Sequence, residues 1–205
     1  MLDDPRRLAN ASEVEQQAFV IQSVLADPVA AEVLKRAHQL DLPDWALIAG
    51  AVYQAVWNEL TGRAPGFGVN DYDLAYFDAD DLSEAGEDAV VARAAETFAG
   101  ISPEVEVCNQ ARVHIWFNRK FGTNRPALSS TEDAVRQFAS TTHAVAIRLT
   151  RDGQPELIAP YGLAGLFSLH VQPMADISTP DHWNAKIARQ KEQWPEIEFV
   201  PAIIT

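Results

Sequence analysis

The stretch Gly68-Val69-Asn70-Asp71-Tyr72-Asp73-Leu74-Ala75-Tyr76-Phe77 is an apolar run that carries two carboxylates two residues apart. Side chains on a strand alternate between faces, so Asp71 and Asp73 share one face while Tyr72, Leu74 and Tyr76 take the other. Two like charges side by side repel. A strand holds such a pair cheaply only at an exposed end, or where a cation between them offsets the repulsion. The pair is therefore a candidate metal site, and the fold turns on what the neighbouring segments place beside it.

Upstream, Trp45-Ala46-Leu47-Ile48-Ala49 is short, apolar and followed by Gly50, which reads as a buried strand entering a tight turn. A helical period follows over Ala51 to Leu60, with Val52, Ala55, Val56 and Leu60 on one side and Thr61-Gly62 as its end. Downstream, a turn-rich Asp78-Ala79-Asp80-Asp81 leads into a helix over about residues 83–98, with Val90, Val91, Ala94, Ala95 and Phe98 on its apolar side. Val105-Glu106-Val107-Cys108 is the next strand and puts Glu106 and Cys108 on one face. For residues 109–121 both periods fit; a helix capped by Asn109 and stopped by Gly122 is the preferred reading.

Two helices precede this core. Ser12-Glu13-Val14-Glu15 has capping-box spacing and is followed by Val14, Phe19, Val20, Val24 and Leu25 as a rough stripe. Asp27-Pro28 starts a second helix, with Val29, Val33, Leu34, Ala37 and Leu40 on its apolar side. Beyond the core come a short helix near 130–138 and a hairpin around Arg151-Asp152-Gly153, which either extends the sheet or forms a small lobe. Helices are then expected near 162–169 and from Pro180 to Trp194. This order predicts an α+β fold, a mixed central β-sheet covered by helices. We expect a single domain over 1–205, with N-terminal helices at about 12–40, a core at about 45–125, and a C-terminal hairpin and helices at about 130–205.

Composition narrows the function. Of 205 residues, 47% are hydrophobic and 22% charged, so the chain is globular and has no disordered tract. A net charge of -13 argues against an extended nucleic-acid surface, which needs a basic stripe. No apolar stretch reaches the length of a membrane span, and the first residues lack the apolar core of a signal peptide. One cysteine, Cys108, excludes an internal disulfide and suits a reducing compartment, so a cytoplasmic location is expected. The five histidines have no shared ligand spacing, which argues against zinc.

The order of Gly50-Ala51 at a strand-to-helix turn, Asp71-x-Asp73 on the next strand and Glu106 on the one after resembles the polymerase-beta-like nucleotidyltransferase superfamily. More closely, Ile48-Ala49-Gly50-Ala51-Val52-Tyr53-Gln54, Asp71-Tyr72-Asp73-Leu74, Asn109-Gln110-Ala111-Arg112-Val113-His114 and Tyr161-Gly162-Leu163 resemble a family of bacterial nucleotidyltransferase-like proteins, over roughly residues 45–170. The resemblance implies catalytic and metal-binding roles for Asp71, Asp73 and Glu106. The cofactor would be Mg2+ or Mn2+, the substrates a nucleoside triphosphate and an unidentified acceptor. Phosphate would lie at Gly50 and Ala51 on a helix N-terminus, where backbone N–H groups and the helix dipole favour an anion.

Three departures stand out: Ala51 lacks the hydroxyl the superfamily often offers to phosphate, the spacing from Gly50 to Asp71 is long, and the third acid is glutamate. Arg63 and Arg112, or Arg119 and Lys120, are candidate replacements for the phosphate grip. A degenerate member acting as a nucleotide-binding or protein-interaction module is the alternative function, and a metal-dependent phosphohydrolase a third.

Overall fold

The computed structural model describes residues 5–122, 124–175 and 180–203. A five-stranded sheet has the order β3-β2-β1-β4-β5, built from β1 (Ala46–Ile48), β2 (Tyr72–Tyr76), β3 (Val105–Asn109), β4 (Ala146–Leu149) and β5 (Pro155–Ile158). It is mixed: β2 and β3 run parallel, while β1 is antiparallel to both β2 and β4, and β4 to β5. The hairpin of β4 and β5 thus extends the central sheet. Its Thr150-to-Gln154 turn puts Gly153 at φ 73°, a conformation that glycine adopts freely.

One face of the sheet carries Leu47, Tyr72, Leu74, Tyr76 and Ile147, and these belong to the main hydrophobic core. Helices α1 (Glu13–Ala26), α2 (Pro28–Leu40), α3 (Gly50–Thr61) and α4 (Glu84–Thr97) contribute to the same core. The capping box at Ser12 and Glu15 forms as its sequence spacing predicts. α1 and α2 meet at 97° across Asp27. The Asp27 carboxylate accepts from Val29 N and, deep in the core, from the Tyr72 hydroxyl at 2.7 Å, so one acid caps α2 and ties it to the acidic strand.

Two apolar stripes differ from the sequence reading. In α1 the buried side is Gln16, Val20, Ser23 and Val24, while Val14 and Leu25 face solvent. In α4 Val91 is exposed and Ala94 is its one buried residue, with Phe98 buried just beyond its end. Both are amphipathic helices whose covered face is narrower than their hydrophobic content suggests, because only one flank meets the sheet layer.

The other face of the sheet is more lightly covered. Ala46, Ile48, Ala75, Ala146 and Ile158 form a small cluster with Val135 of α6 (Thr131–Arg136). Residues 110–121 are helical: a short 3-10 turn at Gln110–Arg112, capped by the side chain of Asn109 at the end of β3, runs into α5 (Val113–Phe121), which Gly122 ends at φ 64°. α7 (Ala164–Phe167) and α8 (Pro180–Gln193) follow the hairpin. β6 (His170–Val171) pairs in parallel with β7 (Glu198–Phe199), a second sheet too short for sequence alternation to reveal. Among the described residues no single helix is long and apolar enough to cross a membrane.

Candidate active site

The site begins where β1 turns into α3. Ala49 carries φ 57° and ψ −127°, a conformation L side chains rarely adopt, and Gly50 is the first helical residue. The sequence places the tight turn at Gly50; the backbone bend falls one residue earlier. Ala49 offers no side-chain cap, so α3 starts without a side-chain partner for its first-turn N–H groups. A Cβ at Gly50 would stand 3.2 Å from Gln54 Nε2, so the glycine keeps this helix end open.

Asp73 lies on β2 whereas Asp71, expected on the same strand, stands just before its first residue Tyr72; a pinned loop delivers both to the same cavity. Gly68, at φ 77°, would bring a Cβ within 2.5 Å of the Trp194 ring, so only glycine fits. Asn58 of α3 donates to Phe67 O at 2.9 Å and accepts from Trp194 Nε1 at 3.0 Å, clamping the loop between α3 and the end of α8. The result is a cavity of about 280 Å³ whose walls include Gly50, Gln54, Asp71, Asp73, Lys186 and Arg189. Lys186 Nζ lies 5.6 Å from the centre of the Tyr53 ring, and Gln190, also on the wall, donates to the Tyr53 hydroxyl at 3.0 Å. Among the described residues, the amide oxygens of Gln54 and Gln190 are buried without a hydrogen-bond partner.

Glu106 sits on the far side of Asp73. The parallel ladder sets Asp73 opposite Glu106 and Ala75 opposite Cys108. Glu106 is exposed, and together with Asp73 it lines a second cavity of about 440 Å³ on the lightly covered sheet face. Burial, then the charges of Asp71 and Glu106, push the Asp73 carboxyl up to about 6, against a smaller downward pull from Lys186. Burial, then the charges of Asp73 and Glu106, push the Cys108 thiol to about 11, so it stays protonated and acts as apolar lining.

The two arginines proposed from sequence are engaged elsewhere. Arg63 pairs with Glu196 at 3.0 Å and lies over the Phe67 ring. Arg112 pairs with Glu87 and donates to Leu82 O at 3.0 Å, which fastens α4 to the end of β3. Neither lines the cavity that holds Asp71, and the buried Ala51 side chain does not line it either. The cations that do, Lys186 and Arg189, come from α8 and were absent from the sequence reading. Their trace is a polar face: residues 186, 189, 190 and 193 follow i, i+3, i+4, i+7 spacing.

The profile of a nucleotidyltransferase family matches residues 35–199. The chain belongs to that family. The match spans both the acidic strands and α8, so the donors of Lys186 and Arg189 lie inside the family region. Among curated proteins none matches. One solved structure, described as an NMR structure that reveals a CCA-adding enzyme head domain, superposes with a TM-score of 0.73 at 23% identity, covering 91% of this chain and 96% of that one. At that identity the likeness establishes the fold. Family membership makes this chain a nucleotidyltransferase by kind and implies a nucleoside triphosphate substrate.

Among the described residues no three His, Cys, Asp or Glu side chains stand close enough to form a ready-made metal cage. The donor set still suits magnesium. That ion is usually held by one or two carboxylates, with substrate phosphates and water completing its shell, and Asp73, whose proton affinity is raised by burial and then by the charges of Asp71 and Glu106, stands among such groups.

Proposed function

We propose that this protein transfers a nucleoside monophosphate from a nucleoside triphosphate to an acceptor, with a divalent cation as cofactor. The observation that carries the reading is the facing of the open α3 end and the Asp71–Asp73 pair across one cavity that also contains Lys186 and Arg189. Negative phosphates meet positive groups on two walls, and the acids stand where cations are needed. Asp71 and Asp73 would hold Mg2+ or Mn2+, with Glu106 beside them on the acceptor side; the ion supplies charge neutralisation on the phosphate oxygens.

The chain's own groups do the rest. The backbone N–H groups at Gly50 and Ala51 orient a phosphate, favoured by the helix dipole. Lys186 and Arg189 stabilise negative charge that builds on the departing pyrophosphate. The unpartnered oxygens of Gln54 and Gln190 suit donors such as ribose hydroxyls or a base amino group. Transfer of label from α-labelled nucleoside triphosphate, or release of pyrophosphate, should require Mg2+ or Mn2+ and vanish in Asp71→Asn and in Asp73→Asn. Activity surviving both substitutions refutes the reading. The absence of a ready-made metal cage among the described residues favours one second reading, a nucleotide-binding module without turnover. Calorimetry showing metal-independent nucleotide binding and no product would select it.

A further inference from the structure

The second cavity, on the opposite side of Asp73, is built differently from the first. Its floor is the sheet face of Asp73, Glu106 and Cys108, and its walls carry Trp116 and Phe117 of α5, Phe138 just beyond α6, and Arg125. Arg125 is set in place: its guanidinium lies 4.7 Å from the centre of the Phe117 ring and donates to Gln137 Oε1 at 2.7 Å, while its backbone N–H donates to Asn118 Oδ1 at 2.7 Å. A guanidinium has five N–H donors, so a single side-chain acceptor among the described residues leaves capacity for an anionic group. Trp116, 41% exposed, stands beside Phe117 with ring centres 5.8 Å apart.

We propose that this cavity seats the acceptor of the reaction, a small hydroxyl-bearing molecule with a planar apolar body and a negatively charged group that faces Arg125. The inference rests on the nucleotidyl-transfer reading and adds the acceptor's chemical class. In-line displacement at phosphorus needs the attacking and leaving oxygens on opposite sides. Asp73 lines both cavities. With pyrophosphate leaving on the Lys186 side, attack comes from the Glu106 side. The acceptor oxygen bonds to the α-phosphorus, the bond from that phosphorus to the pyrophosphate oxygen breaks with its electron pair, and the hydroxyl proton leaves to water at the exposed Glu106 end. Aromatic walls hold a planar body by stacking and burial, and the guanidinium fixes its anionic end. A polynucleotide acceptor would instead need a basic track, which a net charge of -13 argues against.

The test uses the full chain and 6-hydroxynaphthalene-2-sulfonate, a fluorescent planar anion with one hydroxyl, alongside ATP with Mg2+ measured by calorimetry. The probe should bind one site, weaken tenfold or more in Trp116→Ala and in Arg125→Met, and persist at saturating ATP. ATP affinity should stay within twofold in both variants, and Asp71→Asn should show the reverse pattern. Probe affinity unchanged in both variants would overturn the proposal. So would displacement of the probe by ATP, which would assign the cavity to the nucleotide, or by a single-stranded oligoadenylate, which would make the acceptor an RNA. Failure of the wild-type protein to bind ATP with Mg2+ overturns the nucleotidyl-transfer reading itself and is scored separately from the probe titration.

Discussion

Asp73 on β2 and Glu106 on β3 are register partners in a parallel ladder, so two carboxylates stand side by side on one sheet face with Asp71 two residues away. A fold keeps such a cluster only against electrostatic cost, and the cost is legible in Asp73, whose carboxyl is pushed up to about 6 by burial and by its two acidic neighbours.

That cost should appear as stability. An unfolded aspartate loses its proton near 3.8, whereas folded Asp73 holds it to about 6, so the native state loses stability as pH rises between those values and does not regain it above them. In metal-free protein with chelator, Asp73→Asn should raise stability at pH 7.5 by about 2–3 kcal/mol, since each tenfold gain in proton affinity on folding corresponds to about 1.4 kcal/mol. The gain should shrink as pH is lowered toward 4. Urea denaturation across that range measures it, and a gain independent of pH would contradict this origin.

Ala49 is strained. A non-glycine residue at φ 57° and ψ −127° costs about 1–3 kcal/mol. Ala49→Gly removes the strain and adds unfolded-chain entropy worth about 0.5–1 kcal/mol. The expected net effect is stabilisation of about 1 kcal/mol, read as a higher denaturation midpoint with an unchanged slope.

Lys186 is the cation that links the buried aromatic cluster to the acids, near the Tyr53 ring on one side and Asp73 on the other. A charge-assisted hydrogen bond contributes about 1.5–3 kcal/mol. Lys186→Met should therefore weaken ATP binding by about tenfold or more, measured calorimetrically with Mg2+ present. Affinity that does not change would remove Lys186 from the triphosphate grip.

His143 is fully buried, stacked 4.4 Å from Tyr53 and tilted against Trp57 and Trp183, and among the described residues its Nε2 has no partner. Burial, with help from Lys186, holds its pKa well below the ordinary 6.5. The unfolded chain binds a proton there as pH falls below about 6.5 and the native state does not, so stability is present above that pH and declines below it by about 1.4 kcal/mol per pH unit. His143→Phe keeps the ring packing and should flatten the stability profile between pH 6.5 and 5. An unaltered slope would place the acid sensitivity elsewhere.

Much of this was legible in order along the chain. The alternation around Asp71 and Asp73, the cap signals at Ser12 and Asp27, and the strand-turn-helix at Ile48 to Gly50 are local features, governed by side-chain periodicity and backbone preference, and they appear in the structure as elements at those places. Arg63 and Arg112 illustrate the limit. Their residue type and proximity in sequence suited phosphate, but a guanidinium goes to whatever carboxylate the fold brings near, here Glu196 from 133 residues away and Glu87 from 25.

The sequence by itself determined that an acidic pair would stand at the start of a strand, that an apolar strand would turn sharply into a helix just upstream, and that the chain carries a net charge of -13. Only the tertiary structure decided which cations face those acids, that Asp73 separates two cavities of opposite character, and that Ala49 rather than Gly50 takes the strained bend. Periodicity and propensity act over a few residues, whereas Lys186 reaches Asp73 only because α8 packs back across α3 through Trp194 and Asn58.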